Sequence, residues 1–427
     1  MSSFSTLGEL GRETPPAPFL PVTRNGRRTY NAGLYLLGFA PRMTQSSPKP
    51  PAKKPAPKYH PYPFWSPRFW HGLRFSEWIR LCAKHRFRIH PLRWPMALMI
   101  TLFTPCNSLM GLLQRLIYGR KIDATVIEQS PVFILGHWRS GTTYLHELLE
   151  LDSRFATPDT YQCFAPRHFL LTGWMMRTFG GWLLPKHRPM DNVTAGWTRP
   201  QEDEFALLTL AAPTPYERMA FPNEEPPYLE FLDMEGCDEA DLKKFEKGLR
   251  DFVKAITFVN GKRVLLKSPP HTGRVAFLSR LFPGAKFIHI VRDPYALFPS
   301  TVRLWKSLDE VQGLQMPLGT AADEVKREEY VYECLTRMYR GFEKQRPEID
   351  PKNICDLRYE ALVQDPVEEI RRVYQELGLD DFAALQPPLE AYVSKQKDYQ
   401  PNKHELDEEM KTKIPQRWGA YYERYGY

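Results

Sequence analysis

The run Phe133-Ile134-Leu135-Gly136-His137-Trp138-Arg139-Ser140-Gly141-Thr142-Thr143 constrains the chain most: an apolar strand enters a glycine-bounded turn and leaves it as a helix. The leucines that follow, Leu145, Leu148, Leu149 and Leu151, recur periodically and carry that helix into a core. Such a turn exposes backbone N–H groups at a helix N-terminus, where the helix dipole adds positive charge, and so it offers a place for phosphate. Gly136 and Gly141 permit close backbone approach, Thr142 and Thr143 add hydroxyl donors, and Arg139 adds charge. The phosphate loop of ATPases places Lys directly after its second glycine. Here Thr142 stands in that place. A glycine turn that holds no ligand satisfies the same pattern.

From Pro131 onward, short apolar runs alternate with helical periodicity. The runs 132–136, 263–267, 286–291 and 353–358 are predicted strands, Glu239 to Phe258 an amphipathic helix, and further helical patterns follow Thr143, Thr272, Asp323 and Pro366. Alternation of this kind predicts an α/β fold of the P-loop NTPase type, a three-layer sandwich with a central parallel sheet. Ahead of it, Pro48 to Pro63 alternates proline with lysine and cannot bury a core, so residues 1–63 are expected to form a flexible basic arm. Residues 64–125 read as a mainly helical extension. Within it, Pro95 to Leu113 is free of charge but interrupted by Pro105, Asn107 and Ser108, and is expected to form a buried or surface-lying helix pair. A monotopic membrane contact through this N-terminal region is the second reading.

Composition narrows the class only a little. With 42% hydrophobic and 25% charged residues the chain has the make-up of a soluble globular protein, and 58 basic against 50 acidic residues is a mild excess that suits an anionic ligand without requiring one. Six scattered cysteines form no C-x-x-C pair, which points to neither a zinc cage nor a disulfide framework but to a reducing compartment. The first twenty residues lack a basic region followed by an apolar core, so a cytoplasmic protein, with membrane association as an addition, is expected.

The sequence R-S-G-T-T after an apolar strand resembles the donor loop of sulfotransferases that use 3′-phosphoadenosine-5′-phosphosulfate, in which the loop holds the donor's 5′-phosphate. That resemblance assigns Arg139, Ser140, Gly141, Thr142 and Thr143 to donor binding and accounts for the missing lysine, because this nucleotide has no β- and γ-phosphates to grip. The predicted strand "KFIHIV" ends in Arg292-Asp293-Pro294, and Ser300 follows eight positions after Arg292. Sulfotransferases show the same spacing, with the Arg and Ser on the donor's 3′-phosphate. A salt bridge from Arg292 to Asp293, or Asp293 as a magnesium-binding strand-end acid, is the alternative. A third segment, "RYEALVQDP", is similar to the family's tyrosine-containing segment near the adenine, which makes Tyr359 the candidate base contact and leaves Glu360 and Asp365 as capping or structural acids. Together these matches cover roughly Pro131 to Leu379, so residues 126–427 are expected to be the catalytic domain.

Lys267 ends the predicted strand 263–267, where a parallel sheet presents its ligands, and resembles a family lysine that assists the leaving phosphate. For the general base, the resemblance points to a carboxylate just past the loop helix, and Asp159 is the first choice. His168 and Glu202 are rivals, although Glu202, Asp203 and Glu204 together read more simply as a solvated face or a helix N-terminus. The aromatic and proline-rich stretches 170–197 and 213–228 are expected to line or cover the acceptor site. The implied reaction is metal-free sulfuryl transfer from the phosphoadenosine donor to a hydroxyl, or an amine, of a small molecule, lipid or carbohydrate, with no nucleic-acid partner. A P-loop kinase using ATP and magnesium, or a non-catalytic nucleotide-binding membrane adaptor, would share the fold and the loop.

Overall fold

The computed structural model describes residues 62–63, 65–188, 194–379, 381–395 and 408–427. The basic arm expected over 1–63 therefore lies, apart from Tyr62 and Pro63, outside the described residues. Five strands, β1 (Val132–Leu135), β2 (Phe155–Ala156), β3 (Arg263–Lys267), β4 (Lys286–Val291) and β5 (Ile354–Arg358), form one sheet in the order β2-β3-β1-β4-β5. Every pairing is parallel. The helices before β3 are α1 (Phe75–Lys84), α2 (Trp94–Asp123), α3 (Thr142–Glu150), α4 (Thr160–Phe164), α5 (Phe169–Phe179), α6 (Asp203–Thr209) and α7 (Glu239–Asn260). After β3 come α8 (Val275–Leu281), α9 (Pro294–Gln312), α10 (Ala321–Gln345), α11 (Tyr359–Gln364), α12 (Pro366–Leu377), α13 (Gln386–Lys395), α14 (Glu408–Arg417) and α15 (Gly419–Tyr425).

Strand side chains alternate between faces, and here both faces are buried. Phe133, Leu135, Leu266 and Phe287 join one core with Phe245 and Leu249 of α7, Leu278 of α8, Phe298 of α9 and Met338 of α10. Val132, Ile134, Leu265 and Ile288 join a second core with Leu145 and Leu148 of α3 and Ile370 and Val373 of α12. Helices therefore cover the sheet on both sides, as the apolar runs implied. From β1 the chain builds β2 and β3 on one side, then crosses to build β4 and β5 on the other. The crevice beyond the carboxyl ends of β1 and β4 is thus the switch point at which folds of this kind bind ligands.

Strand and helix boundaries follow the sequence closely. α7 runs from the Asp238 cap, whose carboxylate accepts from the backbone N–H groups of Ala240 and Asp241, to Gly261 in the left-handed region at φ 60°. Two expectations are corrected. The two-residue β2 is too short to show a period, and the expected helix pair at 95–113 is the single helix α2, with Pro105 inside it. The carbonyl of Thr101, deprived of a donor by Pro105, receives the Thr104 hydroxyl at 3.4 Å. The other two interruptions are ties to α1: the Phe75 N–H donates to Ser108 Oγ at 3.0 Å, and Asn107 Nδ2 donates to the Leu73 carbonyl at 3.0 Å. Within 64–125, Trp70, Trp78 and Ile100 belong to the same core as Phe133.

Candidate functional site

The turn after β1 alternates left-handed and right-handed backbone, with φ 144° at Gly136, 69° at Arg139 and 102° at Gly141. Arg139, a non-glycine residue held in the left-handed region, is strain of the kind found at ligand clamps. A Cβ on Gly136 would lie 2.6 Å from the Ile290 carbonyl oxygen, and one on Gly141 only 2.3 Å from Cδ2 of Tyr359. Both glycines are required by contact as well as by conformation. Inside the turn, Ser140 Oγ donates to the His137 carbonyl at 2.7 Å, and the Gly136 N–H donates to Thr272 Oγ1 at 2.7 Å. Thr142 and Thr143 open α3, where the first N–H groups of a helix have no intrahelical acceptor.

Arg292 leaves the adjacent strand, β4. Its guanidinium donates to the Arg139 carbonyl at 2.8 Å and stacks 4.2 Å over the Tyr359 ring. Arg139 in turn donates from Nε to Ser300 Oγ at 2.9 Å. The structure thus brings Arg139, Arg292, Ser300 and Tyr359 together around Gly141. The salt bridge weighed between Arg292 and Asp293 is replaced by capping: Asp293 accepts from the Tyr295 N–H at 2.9 Å at the start of α9. Glu360 accepts from the Asp293 N–H, and Asp365 caps α12 through the Glu368 N–H, as acids of structural role would. Tyr421 of α15 holds the Arg292 backbone by hydrogen bonds of 3.1 Å to both its N–H and its carbonyl. No local pattern in the C-terminal sequence signalled that contact.

Lys267, 3% exposed at the carboxyl end of β3, donates to Glu202 Oε1 at 2.7 Å. The other Glu202 oxygen accepts from the hydroxyl of Tyr216, which itself accepts from Trp138 Nε1 at 2.7 Å. Trp138 belongs to the turn, so this chain links the lysine–glutamate pair to the loop. The solvated-face reading of the three acids fails, while the helix N-terminus reading holds. Asp203 and Glu204 open α6 with no exposure at all, the first bonded to His271 at 2.6 Å and Ser268 at 2.8 Å, the second paired with buried Arg274 at 2.7 and 3.0 Å. Burial pushes the Asp203 carboxyl up, but His271 and Ser268 together hold it below its ordinary value. Glu202, partly exposed, is the acid of the three that meets Lys267.

Asp159, the first choice for the base, is otherwise engaged. One oxygen caps α4 by accepting from the Gln162 N–H at 2.7 Å, and the other pairs with Arg177 at 2.7 Å. Burial nonetheless raises its pKa. His168 is buried beside Thr172, its Nδ1 2.9 Å from Oγ1, and burial pulls its pKa down to about 4 with help from the Arg167 charge. Trp138 and Tyr216 were missed by the sequence reading. An indole inside a turn that needs only small residues to meet phosphate was the one available signal. Among the described residues no group of three His, Cys, Asp or Glu side chains converges as a metal site.

A model of the sulfotransferase family matches residues 131–383. The chain is 42% identical over 363 residues, 85% of its length and 92% of theirs, to the proteins of Mycobacterium tuberculosis and Mycobacterium bovis named omega-hydroxy-beta-dihydromenaquinone-9 sulfotransferase Stf3. Two solved structures share the fold: sulfotransferase STF9 from Mycobacterium avium, with TM-score 0.56 and 18% identity, and STF1 from Mycobacterium tuberculosis, with TM-score 0.55 and 16% identity. The first covers 83% of this chain and 96% of its own, the second 81% and 92%.

Proposed function

The chain belongs to the sulfotransferase family and is a sulfotransferase, and from that premise we propose that its donor is 3′-phosphoadenosine-5′-phosphosulfate and its acceptor the hydroxyl of a long apolar molecule. One observation carries the donor assignment. The hydrogen bonds from Arg292 to Arg139 and from Arg139 to Ser300 join the glycine turn and the strand-end arginine into one cationic wall, which supports a ligand carrying more than one phosphate. The donor set fits a nucleotide of this type: two guanidiniums, hydroxyls from Thr142 and Thr143, and the Tyr359 ring packed against the Gly141 turn. When bound, that nucleotide supplies a sulfuryl group whose S–O bond to the 5′-phosphate breaks as the acceptor oxygen bonds to sulfur.

The chain's own part is positional and electrostatic. The turn amides, Arg139, Thr142 and Thr143 hold the 5′-phosphate, while Arg292 and Ser300 hold the 3′-phosphate. Lys267 neutralises negative charge left on the departing phosphate. Glu202, which meets that lysine directly, takes the acceptor's proton, in preference to Asp159, which caps α4 and pairs with Arg177 away from Lys267. Support for an apolar acceptor comes from the relatives, which are named for sulfating omega-hydroxy-beta-dihydromenaquinone-9. The test is to incubate the protein with the donor and a long-chain isoprenoid alcohol, in EDTA. A sulfate ester and equimolar 3′,5′-ADP are the expected products; phosphorylated alcohol formed only from ATP and magnesium would favour the kinase reading.

A further inference from the structure

The outward side of α2 is unlike that of an ordinary surface helix, which carries charge toward water. Leu98, Leu102, Leu109, Leu112 and Leu116 stand on it at steps of three, four and seven residues, each more than half exposed, with Phe103 and Ile117 alongside. The stripe runs about 27 Å along the helix. Between Trp94 and Gln114 there is no charged residue at all, and an 18-residue window of this helix, mean hydropathy 1.6, is only 17% buried. The buried side, by contrast, includes Thr104 and Gln114.

α2 does not cross a bilayer, because ties to the rest of the protein run along its length. Trp78 Nε1 donates to Thr101, the Phe75 N–H to Ser108, the Leu170 N–H to Gln114 Oε1, and Lys254 Nζ to the Asp123 carbonyl. Its surroundings suit a headgroup layer. From Trp65 to Lys121 the sequence has ten Arg and Lys against one acid, Glu77, so this segment is strongly basic. Arg80, Arg86, Arg120 and Lys121 are exposed. Exposed indoles and phenyls, which favour the membrane interface, are supplied by Trp94 and by Trp174 and Phe179 of the neighbouring α5.

We propose that α2 lies face-down on an anionic bilayer, its leucine stripe in the acyl boundary and the surrounding basic residues on lipid phosphates. A second copy of the chain is the rival occupant, since positions 98, 102, 105, 109, 112 and 116 have heptad spacing. A zipper seam, however, is flanked by charged pairs, and this one has none over its first two-thirds and holds Pro105 within it. α2 is linked to the element that follows Glu202: the Leu170 N–H of α5 donates to Gln114 of α2, and Arg167, just before α5, donates to the carbonyls of Thr209 and Leu210 at the end of α6. A lipid-borne hydroxyl could then reach the site from the membrane side. The docking itself does not rest on the donor assignment.

The test is co-sedimentation of the full-length protein with vesicles of phosphatidylcholine alone and of phosphatidylcholine with about one-third phosphatidylglycerol. Binding is expected to be about tenfold or more stronger to the anionic vesicles and to fall about tenfold or more in the combined Leu102→Glu, Leu109→Glu, Leu112→Glu variant. Thermal stabilisation by 3′,5′-ADP reports whether that variant is folded and reads the donor site separately. Because three substitutions could impair folding, Arg80→Glu with Arg120→Glu is a second variant, expected to lose the preference for anionic lipid while melting normally. Wild-type protein that stays in the supernatant with both vesicles overturns the proposal. So does a dimer by light scattering that the leucine variant converts to monomer without changing sedimentation.

Discussion

The Arg292 guanidinium donates to the carbonyl of Arg139 at 2.8 Å, so the end of β4 and the turn after β1 are parts of one wall. Arg292 performs two tasks at once, bonding the loop and stacking on Tyr359, and a lysine ammonium cannot do both. Arg292→Lys is therefore expected to weaken 3′,5′-ADP about ten- to hundredfold, the effect of losing a charge-assisted hydrogen bond, and 5′-AMP far less. Calorimetric titration of both nucleotides checks this. Equal losses for the two would detach Arg292 from the 3′-phosphate.

Gly141 is fixed by space as much as by its φ of 102°. Gly141→Ala drives a methyl to 2.3 Å from Tyr359 Cδ2, so the ring must move and carry Arg292 with it. The expected cost is about 1–3 kcal/mol in urea unfolding, together with weaker nucleotide binding. Adding Tyr359→Ala should recover part of the stability, by removing the clash, but not the binding.

Glu202 and Asp159 are distinguishable by paired substitutions. Glu202→Gln is expected to lower kcat about 10²- to 10⁴-fold with little change in nucleotide affinity. Asp159→Ala should instead cost about 0.5–2 kcal/mol of stability through its lost helix cap, and leave turnover per folded molecule nearly unchanged. The reverse pattern would return Asp159 to the role of base.

Acid should destabilise the protein through its buried histidines. Burial lowers His71 and His168 to about 4 and His137 and His146 to about 3, all from 6.5. Because these folded-state values lie below the unfolded one, the unfolded chain binds more protons between them. The stabilisation is complete above about pH 6.5 and is lost as pH falls toward 4. His85 works against this, since Glu217 and Glu224 raise it despite burial. Urea midpoints at pH 7, 6 and 5 should fall progressively, with a slope of up to about 1.4 kcal/mol per pH unit for each histidine not offset. A flat profile would mean that these imidazoles are hydrated in the fold.

Local pattern made the sheet and its carboxyl end legible, for a physical reason. A buried parallel strand must be apolar throughout, so Gly136, Lys267 and Arg292 stood out where the apolar runs end, and the family resemblance supplied the roles expected of Lys267 and Arg292. Which acid meets Lys267 was not legible, because Glu202 lies 65 residues away and reaches it through the packing of α6, β3 and Tyr216. Asp159 looked equally suited until its cap and its Arg177 partner were in view. α2 misled in a similar way: Pro105, Asn107 and Ser108 read as breaks, yet Thr104 bonds the carbonyl that Pro105 leaves without a donor, and Asn107 and Ser108 make bonds that only the tertiary fold supplies.

In the proposed reaction one nucleotide bridges the turn and the strand-end arginine. Thermal-shift titration of the wild-type protein with 3′,5′-ADP, 5′-AMP, and ATP with and without magnesium tests it most directly. Stabilisation by 3′,5′-ADP at concentrations about tenfold or more below those needed for 5′-AMP, unaltered by magnesium, is the predicted result. Equal stabilisation by 3′,5′-ADP and 5′-AMP, or a preference for ATP that requires magnesium, would contradict it.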